Sequence, residues 1–111
     1  MIYLIQDRAT KEQIEEMLET LGSYIKLAVD IKKEVLAGGG EYHADCEAVL
    51  LENTSKQVDI WGADWYPLTQ EIGYESLINI RPRQNNRSME IQDPVIRGKV
   101  GQIIKKLLGE S

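Results

Sequence analysis

The sequence lacks most of the features that would assign it to a specialised class of protein. Its 111 residues include a single cysteine, Cys46, which excludes an intramolecular disulfide and fits a reducing compartment. No apolar run approaches the roughly 18 residues of a membrane span, and the amino terminus shows no basic region or cleavage site of a secretion signal. We therefore expect a cytoplasmic protein with no membrane partner.

Reaction-specific motifs are also missing. Neither of the glycine patterns that bind phosphate groups occurs, and a second histidine for a metal site is absent, because the chain has only one. The sequence therefore implies no cofactor and assigns no reaction.

What the chain does contain is the composition of a soluble globular domain, with 42% hydrophobic and 28% charged residues. We expect one α+β domain over residues 1–111. The net charge of −5 is uneven: residues 1–80 carry six Lys/Arg against fifteen Asp/Glu, and residues 81–111 carry seven against three. Overall acidity argues against nucleic acid as a partner. An anionic small molecule or an acidic protein segment fits the basic carboxy-terminal third.

The first half of the chain reads as a strand followed by a helix. Residues 2–5 form a β-rich run, and Thr10 with Gln13 makes a capping box at the start of a helix. Apolar residues then recur at helical spacing from Ile14 to Val35, which predicts a long N-terminal helix that the glycines 38–40 end. Whether Gly22 breaks this helix in two is left open.

The second half reads as three strands and a helix. Residues 44–52, 56–62 and 74–81 are β-rich, and Asp93 with Pro94 begins a last helix that ends before Gly109. The order β-α-β-β-β-α predicts a two-layer α+β domain, in which both helices pack on one face of an antiparallel meander.

Pairing the first two of these strands sorts their side chains between two faces. One register separates the polar from the apolar residues better than the others. It predicts a core face formed by Cys46, Ala48, Leu50, Val58 and Ile60, joined by Ile78 and Ile80. The opposite, polar face would hold His43, Asp45, Glu47, Asp59, Trp61, Asn79 and Arg81.

The alternating acids of "HADCEAVLLE" allow two interpretations. His43, Asp45, Glu47 and Asp59 are residue types that bind divalent metals, but spacing of two is also that of any half-exposed strand. We favour the second interpretation, with Arg81 neutralising the acids. Cys46 is expected to be a structural residue on the core face, since burial raises a thiol pKa.

"INIRPRQNNRS", residues 78–88, concentrates forked donors suited to carboxylate or phosphate groups. The expected ligand-binding residues are Arg81, Arg83, Asn86 and Arg87, with Asn79 and Trp61 beside them. The alternative is an ordinary loop whose arginines pair with carboxylates elsewhere in the chain.

Together with "GGEYHADCEAVLLE", "SKQVDIWGAD" and "DPVIRGKV", this loop resembles a family of small, mostly bacterial proteins known only as a domain of unknown function. The resemblance covers nearly the whole chain but implies no activity. The positions that carry it are Gly39, His43, Asp45, Cys46, Glu47, Trp61, Gly62, Asn79, Arg81, Pro82, Asn86 and Arg87.

Three functions remain open. The first is a binding module for an anionic ligand or a partner's acidic segment through loop 81–87. The second is a small hydrolase-like enzyme in which His43, Asp45 or Glu47 moves a proton and Arg81 stabilises negative charge. The third is a structural or regulatory homo-oligomer that buries Val49, Leu51 and Trp61.

Overall fold

The computed structural model describes residues 1–110 as five strands and three α-helices. The strands are β1 (Tyr3–Ile5), β2 (Ile25–Asp30), β3 (Val35–Gly40), β4 (Ile60–Tyr66) and β5 (Glu71–Gly73). The helices are α1 (Lys11–Leu18), α2 (His43–Glu52) and α3 (Pro94–Leu108). The strands form one sheet in the order β1-β3-β2-β4-β5, and every neighbouring pair is antiparallel. The α+β class is confirmed, but the expected meander of residues 44–52, 56–62 and 74–81 is wrong, because the first of these segments is a helix and the third is an irregular loop.

The capping box at the start of α1 is present as expected. The Thr10 hydroxyl accepts from the Gln13 backbone nitrogen at 3.1 Å, and the Gln13 side-chain oxygen accepts from the Thr10 nitrogen at 2.9 Å. The long N-terminal helix is wrong, because α1 ends at Leu18 and the chain continues as the β2–β3 hairpin. Apolar residues are nearly continuous from Ile25 to Ile31, so they fit a strand buried on both faces as well as a helical stripe.

The glycine triplet lies in β3 rather than at a helix end. The pairing of β3 with β2 shifts register there, and Gly39 takes φ of +104° in the irregularity. A Cβ on Gly39 would lie 2.2 Å from the carbonyl oxygen of Met1 and 3.1 Å from the Cα of Met17. The absent side chain therefore lets α1 pack directly on the sheet.

"HADCEAVLLE" forms α2, so the strand predicted for residues 44–52 is wrong. Helical spacing of four residues buries Cys46 and Leu50 together, whereas Ala48 is exposed. Alanine, leucine and glutamate all favour helices, and this stretch has two of each. The predicted hairpin between residues 44–52 and 56–62 therefore does not form.

The strand expected over residues 74–81 is also wrong. This segment contains one 3-10 turn, Leu77–Asn79, and a second, Pro82–Gln84, follows it in the same irregular loop. The last helix is confirmed: the Asp93 side chain accepts from the backbone nitrogens of Val95 and Ile96, Pro94 is the first helical residue, and Gly109 follows the end.

The sheet buries both of its faces, which gives three layers instead of two. α1 and α3 share one face, as expected, and α2 covers the other. On the side of α1 and α3 the buried residues include Met17, Leu27, Leu36, Trp61, Trp65 and Ile104. The smaller core under α2 consists of Ala28, Ala37, Cys46, Leu50 and Ile60. Trp61 is therefore a core residue, and its expected place on a polar face is wrong.

Candidate functional site

The outer edge of β4 is only partly covered by another strand. β5 pairs with Asp64 to Tyr66, and the half of β4 that begins at Ile60 faces the loop of residues 74–92. Here the Asn79 side chain replaces a strand: its Oδ1 accepts from the Gly62 nitrogen at 2.8 Å, and its Nδ2 donates to the Gly62 oxygen at 3.0 Å. A single amide thus satisfies the two backbone groups of Gly62 that a further strand would pair.

A second amide, that of Asn86, holds the loop itself together. Its Nδ2 lies within 2.9 Å of the carbonyl oxygens of Asn79, Ser88 and Glu90, and its Oδ1 accepts from the Gln92 nitrogen. Asn79 and Asn86 are 0% and 3% exposed. Two residues of the expected ligand set therefore have amide groups that are buried and fully engaged within the protein.

Arg81 is also engaged by its own chain. Its guanidinium donates to backbone carbonyls of three segments: Nε to Ile78 at 2.9 Å, Nη1 to Gln57 at 2.6 Å and Nη2 to Ile60. The Gln84 side-chain oxygen accepts from Nη1 at 3.2 Å. The forked geometry of arginine is what allows one side chain to reach this many acceptors.

Arg81 further connects the two sides of the sheet. Nη2 lies 3.6 Å from Oε2 of Glu47 on α2, and the guanidinium carbon lies 4.8 Å from the ring centroid of Trp61. Burial lowers the pKa of Arg81, and the Glu47 carboxylate opposes that shift. Glu47 therefore faces Arg81 as expected, although it does so from a helix, and the exposed Asp45 does not take part.

His43 belongs to a different pair. Its Nε2 lies 2.8 Å from Oδ1 of Asp64 and 3.1 Å from the carbonyl oxygen of Ala63. Both neighbours are acceptors, so Nε2 carries a proton and links the first turn of α2 to β4. Three of the four catalytic candidates thus fall in two separate pairs on successive turns of α2: His43 with Asp64, which had not been a candidate, and Glu47 with Arg81.

The candidates for metal ligation do not converge. Within residues 1–110, no three His, Cys, Asp or Glu side chains come close enough to hold a metal ion. Cys46 is fully buried, and burial raises the pKa of its thiol to about 11. A thiol that stays protonated at neutral pH is a poor nucleophile and a poor ligand.

An apolar groove lies beside loop 81–87, and the sequence did not predict it. It encloses about 610 Å³, and we call it the loop groove; its lining is Glu47, Gln57, Val58, Leu77, Ile78, Ile80, Arg81, Pro82, Arg83 and Gln84. Val58, Leu77 and Ile80 are 57%, 73% and 44% exposed. Val58 and Ile80 had been expected in the core, an error that follows from the wrong strand assignments. Apolar residues in irregular segments have no periodicity that could reveal their exposure.

Among the expected arginines, only Arg83 is both exposed and part of the loop groove. Arg87 is exposed outside it, and its backbone nitrogen donates to the Gln92 side chain. Neither arginine forms an ion pair with the residues that the structure describes. The positive charge available at this surface is therefore that of Arg83.

These features define an α+β protein with helices on both sheet faces and one strand edge closed by side chains. The chain belongs to the family described as "Protein of unknown function (DUF5674)", whose model matches residues 3–107. This confirms the resemblance drawn from its motifs. No curated protein and no solved structure matches the chain significantly. Among residues 1–110, none of the helices has the length and apolar content to cross a bilayer.

Proposed function

We propose that this protein is a binding module, and that the loop groove receives a partner's segment that combines aliphatic side chains with an acidic residue. The observation that carries the proposal is the exposure of three large aliphatic side chains around one concave surface. Contiguous exposed apolar surface is uncommon on monomeric proteins and often marks a place of interaction.

The neighbouring helix extends this apolar surface. Leu51 follows Glu47 by one helical turn on α2, so it lies on the same face of the helix, and it is 42% exposed. A segment that crosses the groove could bury Leu51 together with Leu77 and Val58. Burial of apolar surface is the dominant favourable contribution in most protein association.

The charges of the groove select the chemistry of the partner. Glu47 and Arg81 neutralise each other in the wall, so the exposed Arg83 leaves the groove with an excess of positive charge. An acidic side chain of the partner would find a forked donor there. Asn79, Asn86 and Trp61 support the wall from behind and do not contact the ligand in this proposal. A cytoplasmic location belongs to the same proposal, since a single reduced thiol fits that compartment.

The test uses two pools of short synthetic peptides that share Leu, Ile and Val but carry either Glu or Lys between them. We expect the Glu pool to shift the backbone amide resonances of residues 57–58 and 77–84 in ¹⁵N–¹H spectra. Leu77→Glu should weaken this binding by roughly tenfold, because it places a charge in the apolar contact. Arg83→Glu should transfer the preference to the Lys pool.

Leu68 provides the matched control. It is 97% exposed on the turn between β4 and β5, outside the loop groove, so Leu68→Glu makes the same chemical change at a remote position. The proposal fails if neither pool shifts these resonances, or if Leu68→Glu weakens binding as much as Leu77→Glu.

A further inference from the structure

Two helices in the same layer carry opposite charge. α1 with its cap residue Glu19 contains four glutamates and one lysine. α3 contains four basic residues and no acidic one. Both helices bury their apolar stripes against the same face of the sheet, so their outward surfaces point away from the sheet on the same side.

The acids of α1 form a row on its outward surface. Ile14, Met17 and Leu18 face the core, and Glu12, Glu15 and Glu19 follow the opposite side at spacings of three and four residues. All three are exposed, and the row, which we call the acidic ridge, is about 10 Å long at 1.5 Å per residue.

A basic row of the same spacing lies on α3. Lys99, Gln102 and Lys106 are exposed at spacings of three and four residues, and we call this row the basic ridge. It borders a groove of about 390 Å³ between α3 and the β2–β3 turn, in which Ile31 and Ile103 supply apolar surface. The stems of the two lysines add further apolar cover.

Within residues 1–110, the charges of both ridges have no ion-pair partner. In the part of the chain that the structure describes, ion pairs form between His43 and Asp64 and between Arg81 and Glu47. Neither pair includes a residue of a ridge. One acid, Glu34, lies across the groove from the lysines without approaching them to ion-pair distance.

We propose that two copies of this chain associate through these surfaces, the acidic ridge of each copy lying on the basic ridge of the other. A two-fold axis that runs between α1 and α3 would place each α1 over its partner's α3, which closes the assembly as a symmetric dimer. Both ridges have spacings of three and four residues. Glu12 and Glu19 at the ends of the acidic ridge can therefore meet Lys99 and Lys106 at the ends of the partner's basic ridge. Contact of this kind is strongest at low salt, because ions screen exposed charges.

Charge reversal tests the pairing directly. The variant E12K/E15K/E19K makes both ridges basic, and K99E/K106E makes both ridges acidic. Each variant alone should remain monomeric in sedimentation velocity at low salt, whereas their equimolar mixture should form a heterodimer. A chain with all five changes is complementary to itself again and should regain the homodimer. Circular dichroism checks that these exposed changes leave the fold intact.

Two further measurements separate ridge pairing from other modes of association. For the unmodified chain, raising NaCl from about 20 mM to about 500 mM should weaken the dimer at least tenfold. The control E41K/E52K/E71K makes the same change in net charge at exposed acids outside α1 and should still dimerise. Glu34→Gln should tighten the dimer, because it removes the acid that faces the lysines.

The proposal is overturned if the unmodified chain stays monomeric at low salt and millimolar concentration. It is equally overturned if a dimer forms that survives either ridge reversal, or if the mixture of the two reversed chains does not associate. A dimer that Leu77→Glu abolishes would assign self-association to the loop groove instead.

Discussion

At the scale of single residues, several polar groups of this protein act as structural parts. Asn79 pairs with both backbone groups of Gly62 across seventeen positions of sequence, and Asn86 binds three carbonyls of its own loop. Replacing a buried amide that bonds to backbone groups is costly, because those groups are left with no hydrogen-bond partner from either water or protein. The amide-rich stretch that suggested a ligand site therefore has a structural explanation for Asn79 and Asn86.

Cys46 gives a prediction for the dependence of stability on pH. Its thiol pKa is raised from 9.0 to about 11 in the folded protein by burial. The protonated thiol is therefore favoured by folding, and the stability it contributes is present below pH 9 and is lost as pH rises from 9 towards 11. Over that interval we expect the free energy of unfolding to fall by up to about 3 kcal/mol from this group.

The measurement is urea unfolding of the wild type and Cys46→Ala between pH 8 and 10.5. All other groups are common to both proteins, so the difference between the two curves isolates the thiol. At pH 8, Cys46→Ala should have a lower free energy of unfolding than the wild type. That free energy should then fall less in Cys46→Ala than in the wild type as the pH rises. Equal losses of stability in both proteins would show that the thiol is not held in its protonated form.

At the scale of the elements, sequence rules worked where a local hydrogen bond decides the structure. The capping box of Thr10 and Gln13 and the Asp93-Pro94 start of α3 are both present. The sequence rules failed between residues 25 and 52, where one pattern of apolar residues fits two kinds of secondary structure. Ile25 to Ile31 could lie on a helix or on a doubly buried strand, and only pairing with β3 and β4 selects the strand.

Two glycines in different elements should respond oppositely to alanine. Gly39 takes positive φ and meets the Met1 carbonyl, so Gly39→Ala should lower the free energy of unfolding by about 3 kcal/mol. Gly98 is an exposed residue inside α3 with nothing within 4 Å of an added Cβ, so Gly98→Ala should raise it by about 1 kcal/mol. Urea unfolding compares the two, and a loss of similar size at both would contradict this account of the glycine triplet.

At the scale of the whole molecule, Arg81 joins parts that are distant in sequence. It contacts α2 through Glu47, the core on the opposite sheet face through Trp61, and the β4 edge through the carbonyl oxygen of Ile60. Closing an open strand edge in this way also protects it from pairing with other chains. The same arginine that was expected to bind a ligand therefore ties α2 and the loop to the edge of the sheet.

Arg81→Lys tests this role, because it keeps the charge and removes the fork. We expect a loss of roughly 2–3 kcal/mol in the free energy of unfolding, since an ammonium group cannot reach all the carbonyls at once. Arg83→Lys is the matched control at an exposed neighbour and should change stability by less than about 0.5 kcal/mol. If both variants unfold at the same urea concentration, water must be able to satisfy the carbonyls in place of Arg81.

The sequence by itself determined the α+β class, the two capped helix starts and the family. These follow from composition, from short-range hydrogen bonds and from the motifs that carry the resemblance. Only the tertiary structure decided that "HADCEAVLLE" is a helix, that the glycine triplet lies in a strand, and that Val58, Leu77 and Ile80 line an exposed groove. The physical reason is that strand pairing and side-chain burial depend on partners far along the chain, whereas caps depend on residues three positions away.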